Sequence, residues 1–110
     1  MERFVKGDIV VLPFPYSDLS SSKKRPAMVL ADLKGDDIIL CQITSQFVKD
    51  NYAIALSNTD FKQGSLQKTS NIRPNRLFTA DKSIIDRTVG TVKPEVFKGV
   101  VNKLFEIIKQ

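Results

Sequence analysis

The chain is predicted to be mainly β with one C-terminal α-helix, folded as a small, strongly curved β-barrel or sandwich for which an SH3-like barrel is the natural candidate. Three observations predict it. Short apolar runs rich in β-branched residues recur between turn signals and do not alternate with helical patterns. Only residues 94–109 carry apolar side chains at spacings of three and four. At 110 residues, 42% of them hydrophobic, the chain has the length of one domain and the means to bury one core, so residues 1–110 are read as a single domain.

In order along the chain, residues 1–6 are a short lead-in, and Gly7-Asp8 is a turn signal. Ile9, Val10, Val11 and Leu12 are four consecutive apolar residues, the mark of a strand buried on both faces. Pro13 and Pro15 end it, because each removes a ladder donor. Phe14 and Tyr16 alternate with those prolines, and residues 17–22 form a small, polar loop expected to be mobile. Arg25 precedes Pro26 and is therefore pushed to extended geometry at the loop's end. Residues 27–31 form a second strand, Lys34-Gly35-Asp36 a tight turn, and residues 37–44 a third strand that closes in Thr44-Ser45-Gln46, three side chains able to hydrogen-bond. A fourth strand is expected at 52–56 and a turn-rich connection at 57–64. Residues 65–79 read as a long extended stretch whose apolar positions are Leu66, Ile72, Leu77 and Phe78, with Pro74 interrupting the ladder. Ile84-Ile85 and residues 88–92 are the last short strands. Pro94 suits a first helical position, and Val96, Phe97, Val100, Val101, Leu104, Phe105 and Ile108 make one stripe facing the barrel or a partner, while Lys98, Asn102 and Lys109 face water. Lys93 is a weak N-cap, having no acceptor.

Charge is uneven. The formal net charge is +5, yet residues 1–60 hold seven Lys/Arg against eight Asp/Glu, and residues 61–110 hold ten against four. Between residues 62 and 76 stand Lys62, Lys68, Arg73 and Arg76 with no acid among them, a field that favours a polyanion or an acidic protein, or else serves as a solvated face. No run approaches the roughly 20 apolar residues that span a bilayer, and no signal-peptide pattern opens the chain, so a cytoplasmic protein without membrane association is expected. The one cysteine, Cys41, lies among apolar neighbours and reads as a buried, inert thiol.

The chemistry narrows by exclusion. With no histidine, an imidazole acid or base and a histidine metal site are unavailable, and one cysteine cannot build a cysteine-rich zinc site. No G-x-x-x-x-G-K-[ST] or G-x-G-x-x-G segment occurs, so neither a metal nor a nucleotide cofactor is expected. Arginine, lysine, hydroxyls and carboxylates remain, and these suit a phosphodiester. Attack on phosphorus gathers negative charge on non-bridging oxygens, which a forked guanidinium can hold. RNA brings its own nucleophile, the 2′-hydroxyl, so cleavage to a cyclic phosphate needs positioning, charge stabilisation and modest proton transfer only.

Four segments in the same order, K-G-D-I-V-V-L at the start, K-R-P-A-M-V-L after the loop, I-T-S-Q at 43–46 and S-N-I-R-P-N-R-L at 70–77, followed by a closing helix, resemble the MazF/PemK family of toxin ribonucleases over essentially the whole chain. The resemblance implies a CcdB/MazF/PemK-type toxin fold and a cytoplasmic homodimer that cuts single-stranded RNA at short sequences, arrests growth, and is neutralised by a cognate antitoxin, with which it binds DNA. By similarity Arg25 matches the family's catalytic arginine before proline and Thr44 its catalytic threonine, with Ser45 and Gln46 beside it. Lys24 and Lys68 are assigned to phosphate attraction, Arg73 and Arg76 to RNA contact or a dimer edge or else to ion pairs on the barrel surface, and Phe14 and Tyr16 to stacking on bases, with core packing an equal alternative for Phe14.

The sequence departs from the family where proton transfer is concerned. Some relatives use a histidine in the first loop or an aspartate in the strand corresponding to 68–73; here the loop has no histidine, and Ser70 takes the aspartate's place. A guanidinium is a poor base, so Arg25 is assigned to stabilising the phosphorane and protonating the leaving oxygen, Thr44 to orienting the phosphate, and Asp18 is the speculative base. A second reading keeps the barrel without catalysis, as a module that binds nucleic acid or a protein such as DNA gyrase, the target of a related toxin group with this fold. The Arg25 and Thr44 pair discriminates the two, since a pure binder has no need of it.

Overall fold

The computed structural model describes residues 3–13 and 23–110. Seven strands form one antiparallel sheet: β1 (Asp8–Pro13), β2 (Lys24–Asp32), β3 (Asp37–Thr44), β4 (Ile54–Leu56), β5 (Phe61–Gly64), β6 (Ser70–Asp81) and β7 (Arg87–Val92), followed by one helix, α1 (Pro94–Lys109). Their order across the sheet is β4-β6-β3-β2-β1-β7-β5, and the sheet curls into a half-barrel.

Alternation along the central strands explains why both faces are apolar. Ile9 points to one side with Met28, Cys41, Ile43, Leu56 and Ile72, where Val96, Phe97 and Val100 of α1 cover them. Val10 and Leu12 point to the other side with Ala27, Val29, Ile38, Leu40 and Phe78, where Phe4 and Ile85 complete the cluster. A strand with core on both sides cannot alternate apolar with polar, hence the unbroken run at residues 9–12. Cys41 is buried, and burial pushes its thiol up to about 12, which leaves it protonated and inert.

The second strand starts earlier than residue 27, taking in Lys24 and Arg25, which pair with Pro13 and Leu12 of β1. The sixth begins at Ser70, not Ser65, and it bulges: Cys41 of β3 pairs with Leu77, but the next residue, Gln42, pairs with Arg73, so Pro74, Asn75 and Arg76 are looped out. Proline fits there because its missing N–H is not needed by the ladder. Two expectations fail. Within 57–64 only the first half is a turn, a 3₁₀ segment at Asn58–Asp60, and the second half is β5, held to β7 by Phe61 opposite Val92. Phe61 stands alone in a polar run, so no two-residue period announces the strand. Ile84-Ile85 is not a strand either; Lys82–Ile84 is a 3₁₀ turn, capped by the Asp81 carboxylate, which accepts from the Ser83 N–H at 2.9 Å.

As expected, α1 lacks a side-chain N-cap and opens with proline. Its stripe divides. Val96, Phe97 and Val100 pack on the sheet, whereas Phe105 and Ile108 beyond them are exposed at 55% and 66%.

Four aspartates tie turns and strands together, each held below the ordinary carboxyl value of 3.8. Asp32 is lowered chiefly by Lys82, Asp50 by the Tyr52 N–H, Asp81 by the Ser83 N–H, and Asp86 by Lys24. Groups more acidic folded than unfolded contribute stability that is complete above the unfolded pKa and lost as pH falls through the folded one. Thermal melts should therefore give a flat Tm from neutral pH down to about 5 and a progressive fall below about 4.

Candidate active site

Geometry around the ends of β2 and β3 follows from their register. The ladder's last pair toward this end is Ala27 with Gln42. Two residues further along each strand stand Arg25 and Thr44, on the same face as that pair because side chains alternate. On the other flank of β3, Thr44 pairs with Asn71. Arg25 thus stands opposite Leu12 and Thr44 opposite Asn71, and the cation and the hydroxyl share one face at the open end of the β2–β3 ladder.

A hollow of about 360 Å³ opens over this corner, lined by Lys23, Lys24, Arg25, Thr44, Ser45, Gln46 and Lys68 among others, with no acid among the described residues of its wall. Arg25 is half-buried, and its buried Nε has no hydrogen-bond partner among the described residues. Among the described residues no carboxylate pairs with it. A buried donor with no acceptor is costly, and an anion placed in the hollow removes that cost. Thr44 is buried, and its Oγ1 accepts from the Gln46 N–H at 3.1 Å, which leaves the hydroxyl proton free to donate outward. Asn71 steadies the same corner by donating from Nδ2 to the Gln46 carbonyl at 3.3 Å.

Lys24, Pro26, Ser45 and Lys68 also line an adjoining groove of about 660 Å³ that passes beside Arg87. There Asp86 binds Lys24 at 3.3 Å and Arg87 at 2.7 Å. Its lowered carboxyl stays ionised and is a weak base. Neither Asp86 nor Arg87 carried a sequence signal beyond an isolated D-R pair, and Asn71 could have been found only by counting alternate residues along β6.

Not every expected residue reaches the corner. Arg73 shares the face of Thr44, but its guanidinium goes to Asp50 at 3.0 Å, both side chains being largely covered, and it does not line the hollow. Arg76 rides on the bulge of β6 and borders a separate hollow of about 150 Å³ beside Gln42 and Phe78. Ser70 is buried and donates to the Lys68 carbonyl at 3.0 Å. Phe14, Tyr16 and Asp18 lie outside the described residues. No group of three or more His, Cys, Asp or Glu that could hold a metal ion occurs among the described residues.

The family model for PemK-like, MazF-like toxins of type II toxin–antitoxin systems matches residues 5–108. The chain belongs to that family. Among solved structures, this PemK/MazF-like chain is similar to an endoribonuclease in complex with its cognate antitoxin from a mycobacterial species, with 13% identity over 97% of this chain and 96% of that one and a TM-score of 0.77. It is also similar to the Mycobacterium tuberculosis toxin MazF-mt6, with 12% identity over 93% and 96% and a TM-score of 0.73. MazF from Deinococcus radiodurans, in its form I crystal, shares 20% identity over 96% of both chains with a TM-score of 0.71. At such identities the likeness speaks to the fold, and the expected toxin-type barrel with its closing helix is the one found. No curated protein matches the chain significantly in sequence. Among the described residues no helix is long and apolar enough to cross a membrane.

Neutralising Asp86 releases Lys24 and Arg87 to an incoming polyanion. Asp86→Asn should tighten binding of single-stranded DNA, read by fluorescence anisotropy at low salt, by about two- to fivefold, the range of an exposed ion pair; the gain should vanish at high salt.

Proposed function

We propose that this chain is an endoribonuclease toxin that cuts single-stranded RNA, messenger RNA included, at a short sequence without a metal, leaving 2′,3′-cyclic phosphate and 5′-hydroxyl ends and thereby inhibiting translation and growth. The observation that carries the reading is that Arg25 and Thr44 line one hollow with Lys23, Lys24 and Lys68 and with no acid among the described residues of its wall. The named relatives, one of them an endoribonuclease bound to its antitoxin, support it.

In this reading residues 1–110 act as one toxin domain in the cytoplasm. The scissile phosphate sits over the corner with its non-bridging oxygens toward the Arg25 guanidinium, whose unpartnered Nε–H is a donor already in place. The Thr44 hydroxyl donates to the same phosphate and fixes its orientation. The RNA 2′-oxygen attacks phosphorus as its proton leaves, the bond to the 5′-oxygen breaks, and that oxygen gains a proton. No water and no cofactor is consumed. Charge on the phosphorane grows in the hollow that Arg25 lines, so the guanidinium stabilises the transition state more than the ground state. Lys24 and Lys68 hold flanking phosphates, and Ser45 and Gln46 face the neighbouring nucleotides. The protein acts as a homodimer, and its antitoxin is an acidic, partly disordered chain that folds onto the basic surface.

The test is incubation of the purified protein with a long unstructured RNA in EDTA, with the ends mapped by sequencing. Cutting at one short motif with cyclic phosphate ends is expected at an undiminished rate without metal. Arg25→Ala should lose about 10²- to 10³-fold in kcat, the cost of one oxyanion donor. Thr44→Val should lose about 10- to 100-fold, one bond to a charged group. No cutting by well-folded protein would contradict the reading and turn the search to a protein target such as gyrase.

A further inference from the structure

Asp50 stands in the segment that joins Thr44 at the end of β3 to β4, and four donors converge on its carboxylate. Oδ1 accepts from the Tyr52 N–H at 3.0 Å and the Ala53 N–H at 3.3 Å. Oδ2 accepts from Arg73 Nη2 at 3.0 Å and, at the limit of hydrogen bonding, from Asn75 Nδ2 at 3.5 Å. The buried Arg73 Nε has no partner among the described residues. Its guanidinium is thus drawn to Asp50 even though one donor is left unmade.

Arg73 is two residues from Asn71 on β6, on the same face. Asn71 holds the Gln46 carbonyl, and the Gln46 N–H in turn holds Thr44 Oγ1. The segment leaving Thr44 is therefore tied to one strand face at two points, Gln46 through Asn71 and Asp50 through Arg73. Packing contributes little between those ties, where Phe47 is 85% exposed. The course of residues 45–50 rests on polar contacts.

We infer that Asp50 and Arg73 are a positioning pair that sets where Ser45 and Gln46 stand beside Arg25, and that Arg73 acts through Asp50 and not by touching RNA. The inference rests on the reading of the Arg25 and Thr44 corner as the reacting site.

The two roles for Arg73 predict opposite behaviour. If it bound phosphate, Asp50→Asn would release a cation and strengthen RNA binding. If it positions the segment, Asp50→Asn, which keeps an acceptor for the Tyr52 N–H, impairs the enzyme as Arg73→Ala does. The experiment measures kcat and KM on a short RNA for Asp50→Asn, Arg73→Ala and the double variant, together with amide hydrogen exchange at residues 45–47. Each single variant should lower kcat roughly 10- to 100-fold, the effect of a misplaced site, with KM changed less than about twofold. The double variant should be no worse than the poorer single one, and exchange at 45–47 should quicken in all three while their thermal melts stay cooperative. A raised KM and a shallower salt dependence for Arg73→Ala, with tighter RNA binding for Asp50→Asn, would overturn the pair and make Arg73 a phosphate contact. Unchanged exchange at 45–47 would overturn it whatever the activity. Wild-type protein that cuts no RNA counts against the proposed function, and the exchange data then decide this inference alone.

Discussion

The pairing of β2 with β3 is the constraint on which the corner depends. Their ladder brings Ala27 opposite Gln42, and alternation carries Arg25 and Thr44 to the same face two residues on. A slip of one residue in that register would send one of the two to the opposite face. The apolar clusters on both sides forbid the slip, since it would also turn Ala27 and Val29 out of one core and Met28 out of the other. Core packing, which has no chemistry of its own, is what keeps the cation and the hydroxyl on one face. Pro26 adds a local term by keeping Arg25 extended as it enters the strand.

Electrostatics divides the cations into two kinds. Lys82 is bound to Asp32, Arg73 to Asp50, and Lys24 and Arg87 share Asp86. Among the described residues Arg25 has no acid of its own, and its Nε has no partner. The paired cations stitch turns to strands; Arg25, in a hollow it shares with Lys23 and Lys68, stands open to a mobile anion. Net positive charge in the second half of the chain draws a polyanion in, and the buried Nε of Arg25, in the hollow shared with Thr44, offers it a donor.

Much of this was legible from residue order. Unbroken β-branched runs announced the central strands, Pro94 and the three-four spacing announced α1, and Arg-Pro announced the extended arginine. Short strand β5 was not legible, because Phe61 is a single apolar residue at a sheet edge. Nor was the 3₁₀ turn before Ile85, since two adjacent isoleucines read as strand until the Asp81 cap is seen. Within the candidate site, residues local to a motif were found and those joined across the sheet were not. Arg73 and Arg76 look equivalent in S-N-I-R-P-N-R-L, yet the bulge after Arg73 and the distant Asp50 send them to different places. A pairing over that separation in sequence leaves no periodic trace.

The most direct test of the account follows the arginine side chains themselves. Nitrogen-15-labelled protein would be titrated with a single-stranded 2′-deoxy oligonucleotide, which lacks the nucleophile and is not cut, while the Nε–H resonances are observed. The account predicts that the Arg25 Nε–H shifts and exchanges more slowly with solvent as ligand is added, and that the Arg73 Nε–H does not move. Shifts at Arg73 and Arg76 with Arg25 unmoved would contradict it and place the nucleic acid on β6 instead of on the corner between β2 and β3.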